Sequence, residues 1–173
     1  TGTDYVSSAL SMDKSLAKEL FAFHGIPTPA GIHVRKGQES AERVPYPCVV
    51  KACKGGSSVG VCIVHEEKEY QAALEEAFKY DEEAVIEQYI EGREFSCAVI
   101  DIAPLCGFYD YKNKYQAGST IETCPADLPE DKTREMQLIS EKVFRALRLK
   151  KYARMDFMMD KEGKLYCLEA NTL

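Results

Sequence analysis

The stretch "RMDFMMDKEGKLYCLEAN", residues 154–171, contains two short apolar runs separated by a turn. The "DKEGK" segment in its middle is typical of a β-hairpin, because glycine readily adopts the positive φ that such turns need. We predict a hairpin with Glu162 and Gly163 as a two-residue loop. Since side chains alternate along a strand, this register places Asp156 opposite Glu169 on one face of the sheet.

The same register pairs Arg154 with Asn171 and Met158 with Cys167. A loop of odd length would separate the two carboxylates onto opposite faces. Directly opposed like charges destabilise a sheet, and burial raises that cost unless a positive group lies between them. Carboxylate oxygens and an Asn carbonyl suit Mg²⁺. The hairpin therefore favours a divalent-cation site; the alternatives are a solvent-exposed face or one protonated carboxyl.

The composition is that of an ordinary globular protein, with 45% hydrophobic and 29% charged residues in 173. This length suffices for one sizeable core or for two small lobes. The net charge of −6 argues against nucleic acid or an anionic membrane as a partner, but leaves room for a local phosphate pocket. We see no signal peptide and no apolar run of transmembrane length. Seven cysteines without a CxxC pair indicate reduced thiols and a cytosolic protein.

Hydrophobic periodicity predicts an α+β fold. Helices are expected at residues 11–24, 66–79 and 132–147. Strands are expected at residues 31–34, 48–52, 61–64, 84–90 and 95–102, in addition to the hairpin. Several strands are joined by tight connections, so the sheets should be mostly antiparallel, with a lobe boundary near residues 91–92.

The "CKGGSSVG" segment, residues 53–60, lies between two predicted strands and is rich in Gly and Ser. Its backbone N–H groups and hydroxyls can bind an anion, although an ordinary hairpin loop is the alternative. It is not a P-loop, since the GK[ST] ending is missing and a strand follows it. Lys51, at the end of the preceding strand, is placed to reach a phosphate held there, or it is a surface lysine.

Two further segments fit a nucleotide site. In "VIEQYIEGREF", residues 85–95, the apolar strand end at Tyr89 and Ile90 offers open backbone groups to an adenine edge, although a plain β-turn is the alternative. In "FYDYKNKYQAGS", residues 108–119, a mobile lid could bring Lys114 over a substrate; a surface loop is the alternative. The glycine-rich loop, Lys51 before it, the adenine edge and the carboxylate hairpin together indicate an MgATP site.

Five segments closely resemble the D-alanine–D-alanine ligases of the ATP-grasp superfamily: residues 12–14, 49–61, 86–95, 108–129 and 153–172. The segment 108–129 resembles the D-Ala–D-X ligase branch in particular. The resemblance implies an ATP-grasp fold of two lobes, with mostly antiparallel sheets flanked by helices and the nucleotide between them. The central lobe would comprise residues 1–90, and the C-terminal lobe with the metal-binding hairpin would comprise residues 91–173.

The resemblance also implies roles for individual residues. Contacts to the nucleotide are implied for Lys14, Lys51, Ser57, Ser58, Glu87, Tyr89, Ile90, Glu94 and Lys114. Within this set, Glu87, Tyr89 and Ile90 would bind adenine, and Glu94 the ribose. Catalytic roles are implied for Arg154, Lys114, Tyr115 and Ser58, with Arg154 stabilising a tetrahedral intermediate. Ligation of two Mg²⁺ ions, for which Mn²⁺ can substitute, is implied for Asp156, Glu169 and Asn171.

The implied activity is the ATP-dependent joining of two D-alanines through an acyl phosphate, for peptidoglycan synthesis in the bacterial cytoplasm. Its partners would be ATP and D-alanine, with the full-length protein a homodimer. Other readings are a different ATP-grasp carboxylate–amine ligase, which the segment 108–129 argues against, and a nucleotide-binding or partner-binding module without catalysis. A cysteine-based metal protein is a more distant alternative.

The chain departs from the family pattern at three places. It starts where the family's N-terminal domain ends, stops before the Pro-Gly-containing stretch that completes the substrate site, and has a short connection at residues 100–106. We therefore expect this segment to bind MgATP weakly and not to ligate D-alanine by itself. Phosphate release that depends on D-alanine, measured for the isolated chain, would contradict this expectation.

Overall fold

The computed structural model describes residues 2–38, 42–56, 59–102, 105–111 and 125–172. Its helices are α1 (Tyr5–Met12), α2 (Lys14–Phe23), α3 (Glu67–Ala77) and α4 (Glu130–Ala146). Its strands are β1 (Gly31–Arg35), β2 (Cys48–Ala52), β3 (Val61–Val64), β4 (Glu83–Gln88), β5 (Gly92–Ile102), β6 (Leu105–Tyr111), β7 (Tyr152–Asp160) and β8 (Leu165–Asn171). The described strands pair antiparallel in two four-stranded sheets, which confirms the predicted α+β class. None of the described helices is long and apolar enough to cross a membrane.

Contacts divide the chain into two units. The C-terminal unit comprises Thr1–Ser11, Ala17–Thr28 and Glu91–Leu173, and the central unit comprises Met12–Leu16 and Pro29–Ile90. These units differ from the predicted lobes near the N-terminus, because the apolar side chains of α2 belong to the core of the C-terminal unit. The lobe limits at residues 1–90 and 91–173 stay a prediction.

The central unit contains a sheet in the order β1-β4-β2-β3. Helix α3 packs on one face of this sheet, where Leu74 contacts a core that includes Val50 and Ile86. Because strand side chains alternate, the residues next to Val50 and Ile86 point to the opposite face. Lys51 and Glu87 therefore lie on the face away from α3.

The C-terminal unit contains a sheet in the order β6-β5-β7-β8, with α4 on one face. Met136 and Val143 of α4 share a core with Phe95 of β5 and with Met155 and Phe157 of β7. The alternating residues of β7 face away from this core, and together with Glu169 and Asn171 of β8 they carry the polar side chains of the predicted metal-binding hairpin.

The turn of the hairpin differs from the prediction. The amide of Asp160 donates a hydrogen bond to the carbonyl of Lys164 (3.0 Å), and the amide of Gly163 donates one to the carbonyl of Asp160 (3.1 Å). The loop thus consists of residues 161–163, with Gly163 at φ +79°. The predicted two-residue loop is wrong, because the turn needs one more residue before the strands can pair.

A β-bulge restores the predicted pairing of the carboxylates. The register shifts between Asp156 and Phe157, so that Phe157 pairs with Cys167 while Asp156 pairs with Glu169. The residue between these partners, Leu168, is the extra residue of the bulge. The predicted pairs Asp156–Glu169 and Arg154–Asn171 are confirmed.

The predicted pair Met158–Cys167 is wrong, since Met158 pairs with Tyr166. It lies on the turn side of the bulge, where the odd-length loop alone sets the register.

Two other elements differ from expectation. The helix predicted for residues 11–24 is interrupted at Asp13, whose Oδ1 accepts hydrogen bonds from the amides of Ser15 (3.1 Å) and Leu16 (3.2 Å) as an N-cap of α2. Strand β6 includes the first four residues of the predicted lid at 108–119. The rest of that segment lies outside the described residues.

Gly92 occupies a position that no larger residue fits. A Cβ atom built on it would lie 1.9 Å from the carbonyl oxygen of Met159 on β7. We expect Gly92→Ala to lower the free energy of unfolding by at least about 2 kcal/mol, because β5 would have to move away from β7. Urea denaturation measures the change. Gly56→Ala is the control, since a Cβ there meets nothing within 4 Å; equal destabilisation of both variants would contradict the argument.

Candidate functional site

The polar face of the hairpin centres on Asp156, whose residue is only 2% exposed. The hydroxyl of Ser96 on β5 donates a hydrogen bond to Oδ1 of Asp156 (2.7 Å). The guanidinium of Arg154 donates from Nε to Oδ1 (3.0 Å) and from Nη2 to Oδ2 (3.3 Å). The buried carboxylate is therefore held by a charged donor from its own strand and by a neutral donor from the neighbouring strand.

Asn171 joins the two opposed carboxylates. Its Nδ2 donates hydrogen bonds to Oδ2 of Asp156 (2.8 Å) and to Oε1 of Glu169 (3.3 Å). The three predicted metal ligands thus meet at one point on one face of the sheet. Rotating the Asn amide would present its carbonyl oxygen instead, and two carboxylates with an amide oxygen form the donor set that Mg²⁺ prefers. The residues present fit a Mg²⁺ site.

The structure also changes the reason why the two carboxylates tolerate each other. From the sequence alone, a cation was expected between Asp156 and Glu169, yet Arg154 already supplies a positive charge to Asp156. The opposed carboxylates are thus consistent with the fold before any metal is bound. Ser96 was not predicted. Its only sequence signal is a polar side chain two residues after Glu94 in an otherwise apolar run.

Glu94 lies on β5, half-buried, and pairs with Met158. Because β5 alternates, Glu94 shares a face with Ser96, and hence with Asp156. The predicted ribose-binding residue is therefore on the same side of this sheet as the hairpin carboxylates.

The central unit contains a buried ion pair. Nζ of Lys51 bonds to Oε1 of Glu87, and the two side chains are 10% and 3% exposed. Val49 pairs with Glu87 and Lys51 pairs with Val85, so the charged residues are diagonal neighbours on the sheet face away from α3. A lysine predicted to contact phosphate and a glutamate predicted to contact adenine therefore neutralise each other.

Lys14 is attached to the glycine-rich segment. Its amide donates a hydrogen bond to the carbonyl of Cys53 (3.0 Å), and its Nζ bonds to the carbonyl oxygen of Gly55. Lys14 itself is buried at the start of α2. The predicted phosphate contacts Ser57 and Ser58 lie outside the described residues, as do Lys114 and Tyr115.

The predicted adenine edge is only partly open. Tyr89 and Ile90 follow directly after β4, and Ile90 is buried. The amide of Tyr89 donates a hydrogen bond to the carbonyl of Pro47 (3.3 Å). The expectation of open backbone groups is therefore wrong for the Tyr89 amide, because the chain preceding β2 packs along this strand end.

The described site residues form two groups, one in each unit. The group in the central unit consists of Lys14, Lys51, Glu87, Tyr89 and Ile90. The group in the C-terminal unit consists of Glu94, Arg154, Asp156, Glu169 and Asn171. Direct bonds link Lys51 with Glu87 in the first group, and link Arg154, Asp156, Glu169 and Asn171 in the second.

Comparison with known proteins identifies the relatives of the chain. A family profile described as "D-ala D-ala ligase C-terminus" matches residues 22–173. A D-alanine–D-alanine ligase of Syntrophotalea carbinolica is 41% identical over 182 residues, covering 100% of this chain and 59% of that protein. The chain thus spans a little over half the length of this relative.

Solved structures of D-alanine–D-alanine ligases also match this chain. The crystal structure of a D-alanine–D-alanine ligase from Bacillus anthracis matches with a TM-score of 0.87 and 34% identity, covering 100% of this chain and 60% of that one. A structure of the Bacillus anthracis ligase complexed with ATP matches with a TM-score of 0.79 and 32% identity, covering 99% and 58%. These matches confirm the predicted ATP-grasp fold.

The ion pair in the central unit generates a stability prediction. Lys51→Met should lower the free energy of unfolding by about 3–5 kcal/mol, because the Glu87 carboxylate stays buried and loses its cation. The double variant Lys51→Met/Glu87→Gln should regain most of this loss in a urea titration. As a control, Lys79→Met removes an exposed ion pair with Glu76 and should change little. A double variant as unstable as Lys51→Met would contradict the argument.

Proposed function

The chain belongs to the D-Ala–D-Ala ligase family, and from that premise we propose that the full-length protein binds ATP and Mg²⁺ and joins two D-alanine molecules into D-alanyl-D-alanine. The observation that carries this proposal is the convergence of Asp156, Glu169 and Asn171 on one face of the hairpin. Three oxygen-bearing side chains that meet at one point, the buried Asp156 and the half-buried Glu169 and Asn171, have the chemistry of a divalent-cation site.

Within the central unit, we propose that Lys51 and Lys14 bind the phosphates of ATP, with Ser57 and Ser58 as additional donors. Both lysines are buried, and each is attached to the fold by a bond to a neighbouring oxygen. A phosphate would therefore exchange partners with Glu87 and with the glycine-rich segment. Such pre-positioned lysines lose little conformational freedom when the ligand arrives.

The base and ribose contacts use residues around the end of β4 and the start of β5. Glu87, Tyr89 and Ile90 would bind adenine, with the buried Ile90 as an apolar wall. Glu94 would accept hydrogen bonds from the ribose hydroxyls, since a carboxylate has only acceptors at neutral pH.

In the C-terminal unit, Asp156, Glu169 and Asn171 would hold two Mg²⁺ ions, for which Mn²⁺ can substitute. Bound divalent cations neutralise charge on the ATP phosphates and thereby favour phosphoryl transfer. The carboxylate of Asp156 is held in place because Ser96 and Arg154 both donate hydrogen bonds to it. The Asp156 carboxylate is thus pre-organised before any ligand binds.

The proposed reaction has two steps. A carboxylate oxygen of the first D-alanine attacks the γ-phosphorus of ATP, and the bond to ADP breaks, which leaves an acyl phosphate. The amine of the second D-alanine then attacks the acyl carbon, loses a proton and displaces inorganic phosphate. Arg154 would stabilise the oxyanion of this second step, and Lys114, Tyr115 and Ser58 would act at the transferred phosphate. The dipeptide would serve peptidoglycan synthesis in the bacterial cytoplasm, with the protein acting as a homodimer.

Calorimetric titration with MgATP tests the proposal. We expect Glu169→Gln to weaken MgATP binding by at least about tenfold, because the variant loses a metal-binding charge. Glu162→Gln, the same change in the turn of the same hairpin, should leave the affinity unaltered. Thermal melts of both variants establish that they fold. Equal affinities in the two folded variants, or no binding by the unaltered chain, would contradict the proposal.

A further inference from the structure

A second group of metal-ligating side chains lies in the central unit, apart from the hairpin. A ring nitrogen of His33, the Sγ of Cys53 and a carboxylate oxygen of Glu83 all lie within 4.8 Å of one another. We propose that these three side chains form a binding site for Zn²⁺. The inference is independent of the proposed ligase activity, because none of the three residues has a role in it.

The antiparallel register explains why these residues meet. Glu83 on β4 pairs with Arg35 of β1, two residues from His33, so His33 and Glu83 share a face. Cys53 follows directly after β2, and its amide donates a hydrogen bond to the carbonyl of Glu83 (3.0 Å). Three segments that are distant in sequence thus place an imidazole, a thiol and a carboxylate at one end of the sheet.

The donor set favours zinc over magnesium. Nitrogen, sulfur and oxygen donors are the ligands that proteins use for Zn²⁺, whereas Mg²⁺ takes oxygen donors. Zinc–ligand bonds of about 2.0–2.3 Å in tetrahedral geometry place the ligand atoms about 3.5 Å apart. The side chains of His33 and Glu83 are 42% and 23% exposed, so they can rotate. Such rotation can shorten the distances between the ligand atoms from within 4.8 Å to about 3.5 Å, the spacing of a tetrahedral zinc site. Three protein ligands leave a fourth position for water.

The surrounding charges also favour a divalent cation. The ammonium of Lys54 lies 3.6 Å from Asp13, 3.8 Å from Asp81 and 3.4 Å from Glu83. One half-exposed lysine therefore faces three carboxylates, and a net negative charge remains at the cluster. This imbalance attracts a cation towards Cys53, while Lys54 competes for Glu83.

Deprotonation of the Cys53 thiol opposes the binding of a metal ion. Burial, together with the charges of Asp13, Asp81 and Glu83, raises the pKa of Cys53 to about 12. At neutral pH the thiol therefore keeps its proton, and an incoming metal ion must displace that proton to the buffer. A bound ion would hold the start of the glycine-rich segment, because Cys53 is its first residue, and the carbonyl of Cys53 already accepts a hydrogen bond from the Lys14 amide.

The test uses the purified chain after removal of metals with a chelator. Co²⁺ should produce a thiolate-to-metal absorbance band that an excess of Zn²⁺ abolishes and that Mg²⁺ does not. Cys53→Ser should eliminate this band, whereas Cys62→Ser, a change at another cysteine of the same unit, should retain it. A band that persists in Cys53→Ser, or no band in the unaltered chain, would overturn the proposal.

Calorimetry with Zn²⁺ provides a second measurement on a surface variant that keeps the core intact. His33→Gln should weaken Zn²⁺ binding by at least about tenfold, while His65→Gln should leave the affinity unchanged. Equal affinities in these two variants would overturn the proposal even if Cys53→Ser fails to fold.

Removal of the positive charge of Lys54, which competes with the metal for Glu83, should raise the Zn²⁺ affinity instead of lowering it. Lys54→Met should strengthen Zn²⁺ binding, because it removes a positive charge from beside Glu83, and Lys54→Arg should not. Zinc affinity that is insensitive to the loss of Lys54 would place the ion elsewhere and contradict the proposed site.

Discussion

The buried carboxylate of Asp156 is the constraint on which the C-terminal unit depends. A charged group taken out of water costs several kcal/mol unless polar partners surround it. Here the partners come from three strands: Ser96 on β5, Arg154 on β7 itself and Asn171 on β8. The register that brings these donors to Asp156 also turns Met155 and Phe157 towards α4, so one pairing scheme satisfies the polar face and the core together.

This register depends on two irregularities that compensate each other. With the loop at residues 161–163 and no bulge, Leu168 would lie opposite Asp156, and Glu169 would point into the core. The bulge at Leu168 adds one residue to β8 and returns Glu169 to the face of Asp156. The hairpin thus combines an unstrained glycine turn with the carboxylate pair that defines the candidate metal site.

In the central unit too, a buried charge is compensated by a partner, here in the ion pair between Lys51 and Glu87. Lys51 and Glu87 are both buried, and each neutralises the other across β2 and β4. Three residues beyond Lys51, Lys54 neutralises part of an acidic cluster around Cys53. The Lys51–Glu87 and Arg154–Asp156 pairs are balanced by protein groups, so an incoming phosphate or metal ion would exchange partners with them, whereas the cluster around Cys53 keeps a net negative charge.

The sequence predicted the opposition of Asp156 and Glu169, but from a two-residue loop, whereas the structure reaches this pairing through a three-residue loop and a bulge. By itself, the sequence determined the α+β class and the approximate position of most helices and strands. These features follow from local alternation, helical periodicity and turn chemistry, and the matched motifs added the ATP-grasp fold. The tertiary structure alone decided the bulge at Leu168, the contact of Ser96 with Asp156 and the Lys51–Glu87 ion pair. It also decided the closed amide of Tyr89 and the cluster around Cys53, because each depends on which distant strands pair and in what register, information that no local pattern carries.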